Sequence, residues 1–376
     1  MSRSLRILHT SDLHLDAGLR TTGLPSPRAR ERCQAHLDAF DWIVAAVPRL
    51  GIDVLCIAGD LFEAAQTRPA TVRHVAHELG ACGRPVFIAP GNHDPMQERS
   101  VYRLARWPEN VTVFGGAWQS VRLPDLGLVV HGRGFTEPVE SARLLAGLVV
   151  EGDGPHLLVA HGSDESCRPD RHHPYRPFVP AELDSLPLTY AALGHYHRFS
   201  RLPTQRVSAA YSGCPIPQNF ADVEQHGVVL ATLRADGVDI ELLPVPGRRF
   251  VTLELDVSGA DTQADLVRRL QTELEQRALQ EDFVRLHVRG SIAPDLELEP
   301  VALREALAPH VHDLTLRDET VPEYDLATLA LENTVRGQFV RTLQARLQDA
   351  ADADAEIVRR ALVLGLDALA GRSQSR

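Results

Sequence analysis

The sequence predicts an α/β fold, and two observations carry that prediction. Short runs rich in β-branched residues alternate with helical stretches through residues 1–245 of the 376-residue chain, which is the pattern of α/β domains. Most of the strand-like runs end in Gly, Asp or Asn, residues that break strands. Because a single core stops growing at about 250–300 residues, the length also predicts more than one domain.

In the first domain, strands and helices are predicted in a regular order. The strand RILHTSD precedes the helix ERCQAHLDAFDWIVAAVPRL, and the strand DVLCIAGD precedes the helix TVRHVAHELGACG. Three further strands, PVFIAPGNHD, LGLVVHGRG and HLLVAHGSD, come before the apolar run YAALGHYHR. If that run ends a strand, His195 and His197 point to one face, because strand side chains alternate with a period of two.

A domain boundary is predicted at Pro244, Pro246 and Gly247, where the pattern changes. The order strand, helix, strand, helix, strand over residues 250–320 predicts a small α/β capping domain. Residues 324–376 have no strand pattern and predict a tail of two helical stretches, which either docks on its own chain or binds a partner. The two apolar stripes of the tail are formed by Leu326, Leu329, Ala330, Val335, Phe339, Val340, Leu343 and Leu347, and by Ile357, Ala361, Leu364, Leu366 and Leu369.

The overall charge limits how the chain can meet nucleic acid. A net charge of -11 argues against attraction over the whole surface and leaves room only for a local basic groove. The stretch CRPDRHHPYRP is a basic candidate, which we interpret as a solvated loop, with contact to a phosphate backbone as the alternative. Its basic residues are Arg168, Arg171, His172, His173 and Arg176.

Targeting and redox features predict a cytoplasmic protein without a membrane anchor. No apolar run approaches the ~18 residues of a membrane span, and the segment MSRSLRILHTSD lacks the apolar stretch and cleavage site of a signal peptide. The five cysteines are widely spaced and never in C-x-x-C spacing, so they predict reduced thiols, without a disulfide framework or a structural zinc site.

Metal-ligating side chains follow apolar runs at five places in the first domain. Each group is expected at the carboxyl end of a buried strand, the edge at which α/β sheets assemble their sites. The seven nitrogen or oxygen donors are Asp12, His14, Asp60, Asn92, His161, His195 and His197. Seven donors without sulfur are more than one divalent ion takes from protein, so they predict two ions of manganese, iron or zinc. Two such ions clamp an in-line displacement at phosphorus.

These motifs, D-x-H, G-D, G-N-H-D, H and G-H-x-H in that order, resemble the calcineurin-like metallophosphoesterase superfamily. The resemblance implies two packed β-sheets flanked by helices, with a di-metal site between the ends of the sheets. It implies that Asp60 bridges the two ions, and that His93 is no ligand but faces the substrate and stabilises the transition state or protonates the leaving oxygen. The remaining ligands are implied to be Asp12, His14 and His197 for one ion, and Asn92, His161 and His195 for the other.

Within that superfamily the chain looks like the SbcD-type, or Mre-like, DNA repair exonucleases. The cues are the segments HTSDLHLDAGL, CIAGDLFEAAQTRP, LTYAALGHYHR and AYSGCPIPQNFADVEQHGVVLATL, and the likeness continues through the cap and tail. It implies a manganese-dependent DNA phosphodiesterase whose partners are DNA, an SMC-like ATPase of the SbcC type and, as an option, a second copy forming a homodimer. Glu63 stands where some relatives carry a histidine, and it is expected to orient His93 through a carboxylate–imidazole pair.

Two other functions fit the same motifs. A phosphomonoesterase or a small-molecule (nucleotide) phosphodiesterase uses the same metal centre, and a closed pocket beside the cap would favour it over a DNA enzyme. A non-catalytic scaffold would hold the metals only for structure. The presence of His93 argues against the scaffold, because no ligand role needs that residue.

Overall fold

The computed structural model describes residues 4–17, 26–167, 175–222, 225–294, 296, 298–349 and 351–371. The chain divides into two compact units, residues 1–249 and residues 250–376. Each unit has an apolar core of its own. In the described part of the chain, no helix combines the length and the apolar character needed to cross a membrane.

Two six-stranded sheets form the first unit among the described residues. The strands are β1 (Leu5–Thr10), β2 (Val54–Ile57), β3 (Val86–Ile88), β4 (Val111–Val113), β5 (Gln119–Leu123), β6 (Leu128–Gly132), β7 (His156–His161), β8 (Tyr190–Gly194), β9 (Ser200–Arg201), β10 (Ser208–Tyr211), β11 (Gly227–Arg234) and β12 (Gly237–Pro244). The helices are α1 (Ser26–Arg49), α2 (Pro69–Ala81) and α3 (Pro180–Leu183). The first sheet has the order β12-β11-β1-β2-β3-β4, and the second has the order β5-β6-β7-β8-β10-β9.

Parallel pairing brings the carboxyl ends of the strands to one edge of each sheet. β1, β2, β3 and β4 pair in parallel with one another in the first sheet, and β6, β7, β8 and β10 do so in the second. Residues that follow these strands along the chain therefore emerge at a common edge, which is where open α/β sheets form their sites.

The apolar faces of the two sheets pack against each other. Ile7 and Phe87 of the first sheet share one core cluster with Leu157 of the second. Leu8, next to Ile7 in β1, packs instead among residues of α1 and α2, because successive strand residues point to opposite faces. Leu183 of α3 packs with the outer side of the second sheet. The predicted pair of packed β-sheets flanked by helices is confirmed.

Three strands and two helices begin the second unit. In chain order they are β13 (Phe250–Asp256), α4 (Gln263–Gln276), β14 (Phe283–Ile292), α5 (Pro300–Leu307) and β15 (Asp313–Pro322), and the strands run parallel in that order. α4 begins after Thr262, whose hydroxyl accepts from the Asp265 N–H, and it buries Leu266, Leu270 and Leu274 on one face. Burying a leucine side chain stabilises a fold by about 1.5–3 kcal/mol, so this face attaches the helix to its sheet.

The C-terminal tail contains three helices among its described residues, so the prediction of two helical stretches is wrong. They are α6 (Leu326–Leu331), α7 (Val335–Asp349) and α8 (Asp352–Leu369). The first predicted stretch is interrupted at Glu332, whose backbone is extended with ψ at 136°. The next helix starts where the Thr334 hydroxyl accepts from the Gly337 N–H at 3.1 Å. This capping hydrogen bond favours the start of a new helix over continuation of the preceding one.

The tail helices bury one face and leave another open. A small core joins Leu329, Val340, Leu343, Leu362 and Leu366. Leu366 of the second predicted stripe therefore lies inside this core. The rest of that stripe faces outward, with Ile357 67% exposed and Leu364 39% exposed.

Candidate metal centre

The predicted donors follow strands of both sheets. Asp12 and His14 come after β1, Asp60 after β2, Asn92 after β3, and His195 and His197 after β8, while His161 is the last residue of β7. β8 ends at Gly194, so His195 and His197 do not continue a strand and the period-two argument does not apply to them.

Four of the seven donors have a backbone in the left-handed region. Their φ angles are 53° for Asp12, 46° for His14, 50° for Asp60 and 119° for His195. Residues with a side chain rarely adopt such angles, which cost about 1–3 kcal/mol each. Backbone hydrogen bonds hold the first two in place, from Asp12 N–H to Gly59 O at 3.0 Å and from His14 N–H to Asp60 O at 2.9 Å. The fold therefore stores strain where the donors meet.

Two motif glycines are required by close packing at this edge. A Cβ on Gly91 would lie 2.1 Å from Asp60 Oδ1, and a Cβ on Gly59 would lie 2.3 Å from His161 Nδ1. Gly59 also has a φ of +95°, which a side chain would disfavour. The glycines of the G-D and G-N motifs thus give the neighbouring donors room to approach each other.

Asp60 lies at the middle of the donor set. Its Oδ2 is 3.4 Å from His161 Nε2 and 3.7 Å from His14 Nε2, and its Oδ1 accepts from the His93 N–H at 2.9 Å. Burial alone would raise the pKa of Asp60, but the charges of the neighbouring histidines and a hydrogen bond from His161 lower it well below its usual range. A buried carboxylate that stays ionised is suited to hold a cation.

The same side chains leave buried polar atoms without hydrogen-bond partners. Asp12 Oδ1 and His14 Nε2 are both buried and unpaired among the described residues. Such atoms cost free energy unless something satisfies them. A metal ion bound to both atoms would do so, so these residues fit a cation.

Near Asp60, ring nitrogens of His161 and His195 lie close to the side-chain oxygen of Asn92. His161 Nδ1 donates to Ala58 O at 2.8 Å, which leaves its Nε2 beside Asn92 Oδ1 at 3.0 Å. The Asn92 oxygen is also 3.2 Å from His195 Nδ1. Since a neutral imidazole that donates through one nitrogen offers a lone pair on the other, either a proton on His161 Nε2 or a metal ion would satisfy this nitrogen and the oxygens around it.

His161 and His195, two histidines of the centre, have pKa values shifted in opposite directions. Burial would lower the pKa of His161, but the charge of Asp60 and its hydrogen bond outweigh burial and raise that pKa to about 9. Burial lowers the pKa of His195 to about 3, so this imidazole stays neutral near pH 7, as a metal ligand must be. Positive charge is therefore favoured next to Asp60, whether a proton or a metal ion carries it.

Among the described residues, three sets of ligand atoms around Asp12 and Asp60 lie close enough to share an ion, with all atoms of a set within 4.8 Å of one another. The sets are Asp12, His14 and His197; Asp12, Asp60 and His161; and His14, Asp60 and His93. Asn92 and His195 join through the contacts given above. The structure thus brings all seven predicted donors to one place, which we call the candidate metal centre.

Glu63 and His93 form the pair that the sequence suggests. His93 Nδ1 donates to Glu63 Oε2 at 2.9 Å, and the same oxygen is 3.7 Å from His14 Nδ1. The hydrogen bond to Glu63 is the largest effect on His93 and raises the pKa of its imidazole to about 9. The His93 side chain is 44% exposed, so it is held at the open side of the centre in a form able to donate a proton.

Sequence reasoning assigned no role to Asp94. Its hydrogen bonds hold together two loops of the candidate metal centre. Its buried carboxylate accepts from Gly91 N–H at 2.6 Å, Phe62 N–H at 3.0 Å and Tyr102 O–H at 2.6 Å. These bonds tie the loop of His93 to the loop after β2. Burial, with the charge of Asp60, raises the pKa of Asp94 to about 6. Asp94 is the last residue of the G-N-H-D motif, and that position was the signal from which the sequence could have predicted its role.

Arg176 corrects the interpretation of CRPDRHHPYRP as a solvated loop. The Arg176 side chain is fully buried, and its guanidinium donates to Glu140 Oε2 at 2.7 Å and to Gly134 O at 2.9 Å. It also lies over the Phe135 ring, 4.3 Å from its centre, and that ring contacts His161 edge-on. The other four basic residues of the segment lie outside the described residues.

Comparison with known proteins connects this geometry to a family. The family model of the calcineurin-like phosphoesterases matches residues 5–199. The chain is also similar to proteins named DNA double-strand break repair protein Mre11, including three from two Methanosarcina species and Methanopyrus kandleri. The one from Methanosarcina acetivorans is 25% identical over 388 residues, the one from Methanosarcina mazei is 24% identical over 347, and the one from Methanopyrus kandleri is 25% identical over 374.

The alignments cover more of this chain than of its relatives. They include 96%, 86% and 91% of the chain in the order given, but 58%, 52% and 78% of the three relatives. The chain thus spans little more than half the length of the two Methanosarcina proteins.

Proposed function

Because this chain belongs to the calcineurin-like phosphoesterase family, we propose that it is a metal-dependent phosphodiesterase that hydrolyses DNA. The observation that carries the proposal is the candidate metal centre itself. There, ionised Asp60 lies between two groups of donors, and buried atoms of Asp12 and His14 have no hydrogen-bond partner among the described residues. A family of phosphoesterases with such a donor set binds divalent metal ions.

We assign the donors to two ions as the resemblance implies. Asp60 would bridge them, because its Oδ2 lies near ring nitrogens from both sheets, those of His14 and His161. His14 and His197, whose ring centres are 5.2 Å apart, belong to one ion. His161 and His195, also 5.2 Å apart, belong to the other. The donors are oxygen and imidazole nitrogen, so we propose manganese as the working metal.

The reaction is an in-line displacement at phosphorus. When bound, two divalent ions supply hydroxide near neutral pH by lowering the pKa of water. Glu63 holds the His93 ring through Nδ1, so a protonated His93 offers its other nitrogen to the phosphate or leaving oxygen. Charge that develops there is stabilised by a group already in position, which costs no reorganisation during the reaction. Neither a serine nor a cysteine nucleophile is required.

DNA is proposed as the substrate on the strength of the relatives, which are named for DNA double-strand break repair. The decisive comparison uses manganese-loaded protein on linear duplex DNA, single-stranded circles, mononucleotides and bis-p-nitrophenyl phosphate. We expect hydrolysis of DNA and of the small diester, and its loss with a chelator. Hydrolysis of phosphomonoesters or nucleotides without any DNA cleavage would overturn the DNA assignment, and absence of all hydrolysis would favour the scaffold alternative.

A protein partner is proposed for the tail. Ile357, Ala361 and Leu364 form an apolar stripe on α8 with spacings of four and three residues, and all three are exposed. An amphipathic helix that lies in an apolar groove is a common mode of recognition. The SbcD-type resemblance implies that the partner is an SMC-like ATPase of the SbcC type.

A further inference from the structure

A second group of metal-ligating side chains borders the candidate metal centre and contains a thiol. Cys214 Sγ, an Asp222 carboxylate oxygen and a His197 ring nitrogen lie within 4.8 Å of one another. Cys214 is 1% exposed, whereas Asp222 and His197 are half-buried. We call these three residues the Cys214 cluster. They come from two loops, His197 from the loop after β8 and the other two from the loop between β10 and β11, so cysteine spacing in the sequence gave no signal for them.

Backbone contacts hold Cys214 against the segment of His197. The Cys214 N–H donates to His197 O at 3.0 Å. Gly213, with φ at +71°, lets the chain turn there, since a Cβ on this residue would lie 2.6 Å from the same carbonyl oxygen. The thiol and the imidazole are therefore kept together by main-chain packing and do not depend on flexible side chains alone.

His226, the residue before β11, supports the cluster. Its Nδ1 is 3.3 Å from Cys214 Sγ and 3.1 Å from Cys214 O, and its Nε2 is 3.2 Å from Asp222 O. One ring therefore contacts two of the three residues of the Cys214 cluster. The Gln218 N–H donates to Asp222 Oδ2 at 2.8 Å, which helps to hold this carboxylate in place.

The chemistry of this group differs from that of the candidate metal centre. Sulfur, imidazole nitrogen and carboxylate oxygen are the ligands of zinc, and a thiolate selects soft ions over manganese. Three protein ligands leave a fourth tetrahedral position for water. The seven donors of the candidate metal centre include no sulfur, so a thiophilic ion favours the Cys214 cluster over that centre.

We propose that the Cys214 cluster binds a thiophilic divalent cation such as zinc, and that this ion withdraws His197 from the candidate metal centre. A neutral imidazole has one lone pair, so His197 can serve Cys214 and Asp222 or Asp12 and His14, but not both groups at once. Binding releases the Cys214 thiol proton to solvent and leaves a thiolate on the ion. Zinc would thereby inhibit the enzyme at a site separate from the substrate's.

Cadmium is the probe, because a thiolate–cadmium bond gives a charge-transfer absorbance that reports the sulfur directly. Full-length protein saturated with manganese is titrated with cadmium while this absorbance is recorded. We expect one thiolate–cadmium bond in the wild type and in Cys167→Ser, which removes an exposed thiol elsewhere. The band should be missing in Cys214→Ser. Asp222→Asn, which keeps the sulfur, should weaken cadmium binding by about tenfold or more.

Turnover of bis-p-nitrophenyl phosphate is measured in the same titration. The rate of each variant with manganese alone serves as the reference for that variant. This part of the inference rests on the proposed function. Cadmium should inhibit the wild type and Cys167→Ser at concentrations about tenfold or more below those needed for Cys214→Ser. If manganese alone supports no turnover, the proposed function fails while the absorbance still reports the site.

Three results would overturn the inference. A thiolate–cadmium band that survives in Cys214→Ser would place the bound ion elsewhere. Unchanged cadmium affinity in Asp222→Asn would remove the carboxylate from the site, and this variant also decides the matter if Cys214→Ser does not fold. Cadmium bound at Cys214 without any loss of turnover would show that His197 is not shared.

Discussion

Glu63 Oε2 and His93 Nδ1 lie 2.9 Å apart, although 30 residues separate them in the chain. The contact joins the loop after β2 to the loop after β3 and fixes the orientation of an exposed imidazole. A carboxylate in this arrangement raises the basicity of the histidine and sets its tautomer. Glu63 is thus a positioning residue, and His93 is the group that reaches substrate in the proposed reaction.

His93→Ala should lower phosphodiester turnover by about two to four orders of magnitude, because it removes a positioned proton donor. Bound metal, measured by elemental analysis, should not change. His77→Ala, at a histidine that is 78% exposed on α2, serves as the matched control. Full turnover in His93→Ala with both metals bound would give His93 a structural role only.

Glu63→Gln should reduce kcat more than it raises KM, because the proposed role of Glu63 is to orient His93. If Glu63 acts through His93, the double variant Glu63→Gln/His93→Ala should be no slower than His93→Ala alone. Steady-state kinetics of the three variants measures this coupling. Additive losses would instead assign Glu63 an independent effect, for example through His14, 3.7 Å away.

Asp60→Ala should remove both metal ions, because the shared carboxylate would be lost and buried histidines would face one another without its charge. Asp41→Ala, at an exposed aspartate that pairs with His74, should keep both ions. Elemental analysis and calorimetric manganese titration distinguish the outcomes. One tightly bound ion in Asp60→Ala would contradict the bridging assignment.

Gly91→Ala should displace the Asp60 carboxylate, because the added methyl would lie 2.1 Å from Asp60 Oδ1. We expect manganese affinity to fall by about tenfold or more and the free energy of unfolding to fall by about 1–3 kcal/mol. Gly115→Ala is the control, since its nearest neighbour would be 3.9 Å away. Equal effects of the two changes would show that Gly91 is not needed for close packing.

Acid should destabilise the first unit, in part through His9. Its Nε2 donates to Leu193 O at 3.1 Å and its Nδ1 accepts from Tyr190 O–H at 2.9 Å, and burial lowers the pKa of His9 to about 3. The unfolded chain takes up this proton from about pH 6.5 downward, so stability is present above that pH and is lost as pH falls toward 3. From about pH 7.5 to about pH 5 the loss is about 2 kcal/mol.

His9→Gln should reduce this pH dependence by a similar amount, whatever it does to stability at neutral pH. His77→Gln, at the exposed histidine on α2, should leave the dependence unchanged. Urea unfolding at the two pH values can be followed by tryptophan fluorescence, because all three tryptophans lie in the first unit. An unaltered pH dependence in His9→Gln would refute the assignment.

Ile357→Asp should abolish co-purification with a co-expressed SMC-like ATPase while leaving turnover of a small diester unchanged, because it places a charge in the exposed apolar stripe of α8. Arg359→Asp, at a position 63% exposed in a charged pair with Glu356, is the matched control and should retain the partner. Full retention of the ATPase by Ile357→Asp would rule out this stripe as the contact surface.

The sequence by itself determined the local features. Apolar runs that stop at Gly, Asp or Asn mark strand ends, so each donor's place relative to its strand could be read without a structure. The same reasoning located the strands and helices of the cap. It failed at Glu332, where one extended residue and the Thr334 side chain end one helix and begin another, because an apolar stripe can continue across a break in the backbone.

Only the tertiary structure decided which side chains meet. The left-handed φ of His195 turns it toward Asn92, while His197 lies beside His14; local propensity disfavours that angle, so the surrounding fold must impose it. Burial of Arg176 depends on Glu140, 36 residues away. The Cys214 cluster also joins the loop after β8 to the loop between β10 and β11. Sequence patterns report periodicity along one element, whereas these distances follow from the order and pairing of strands across two sheets.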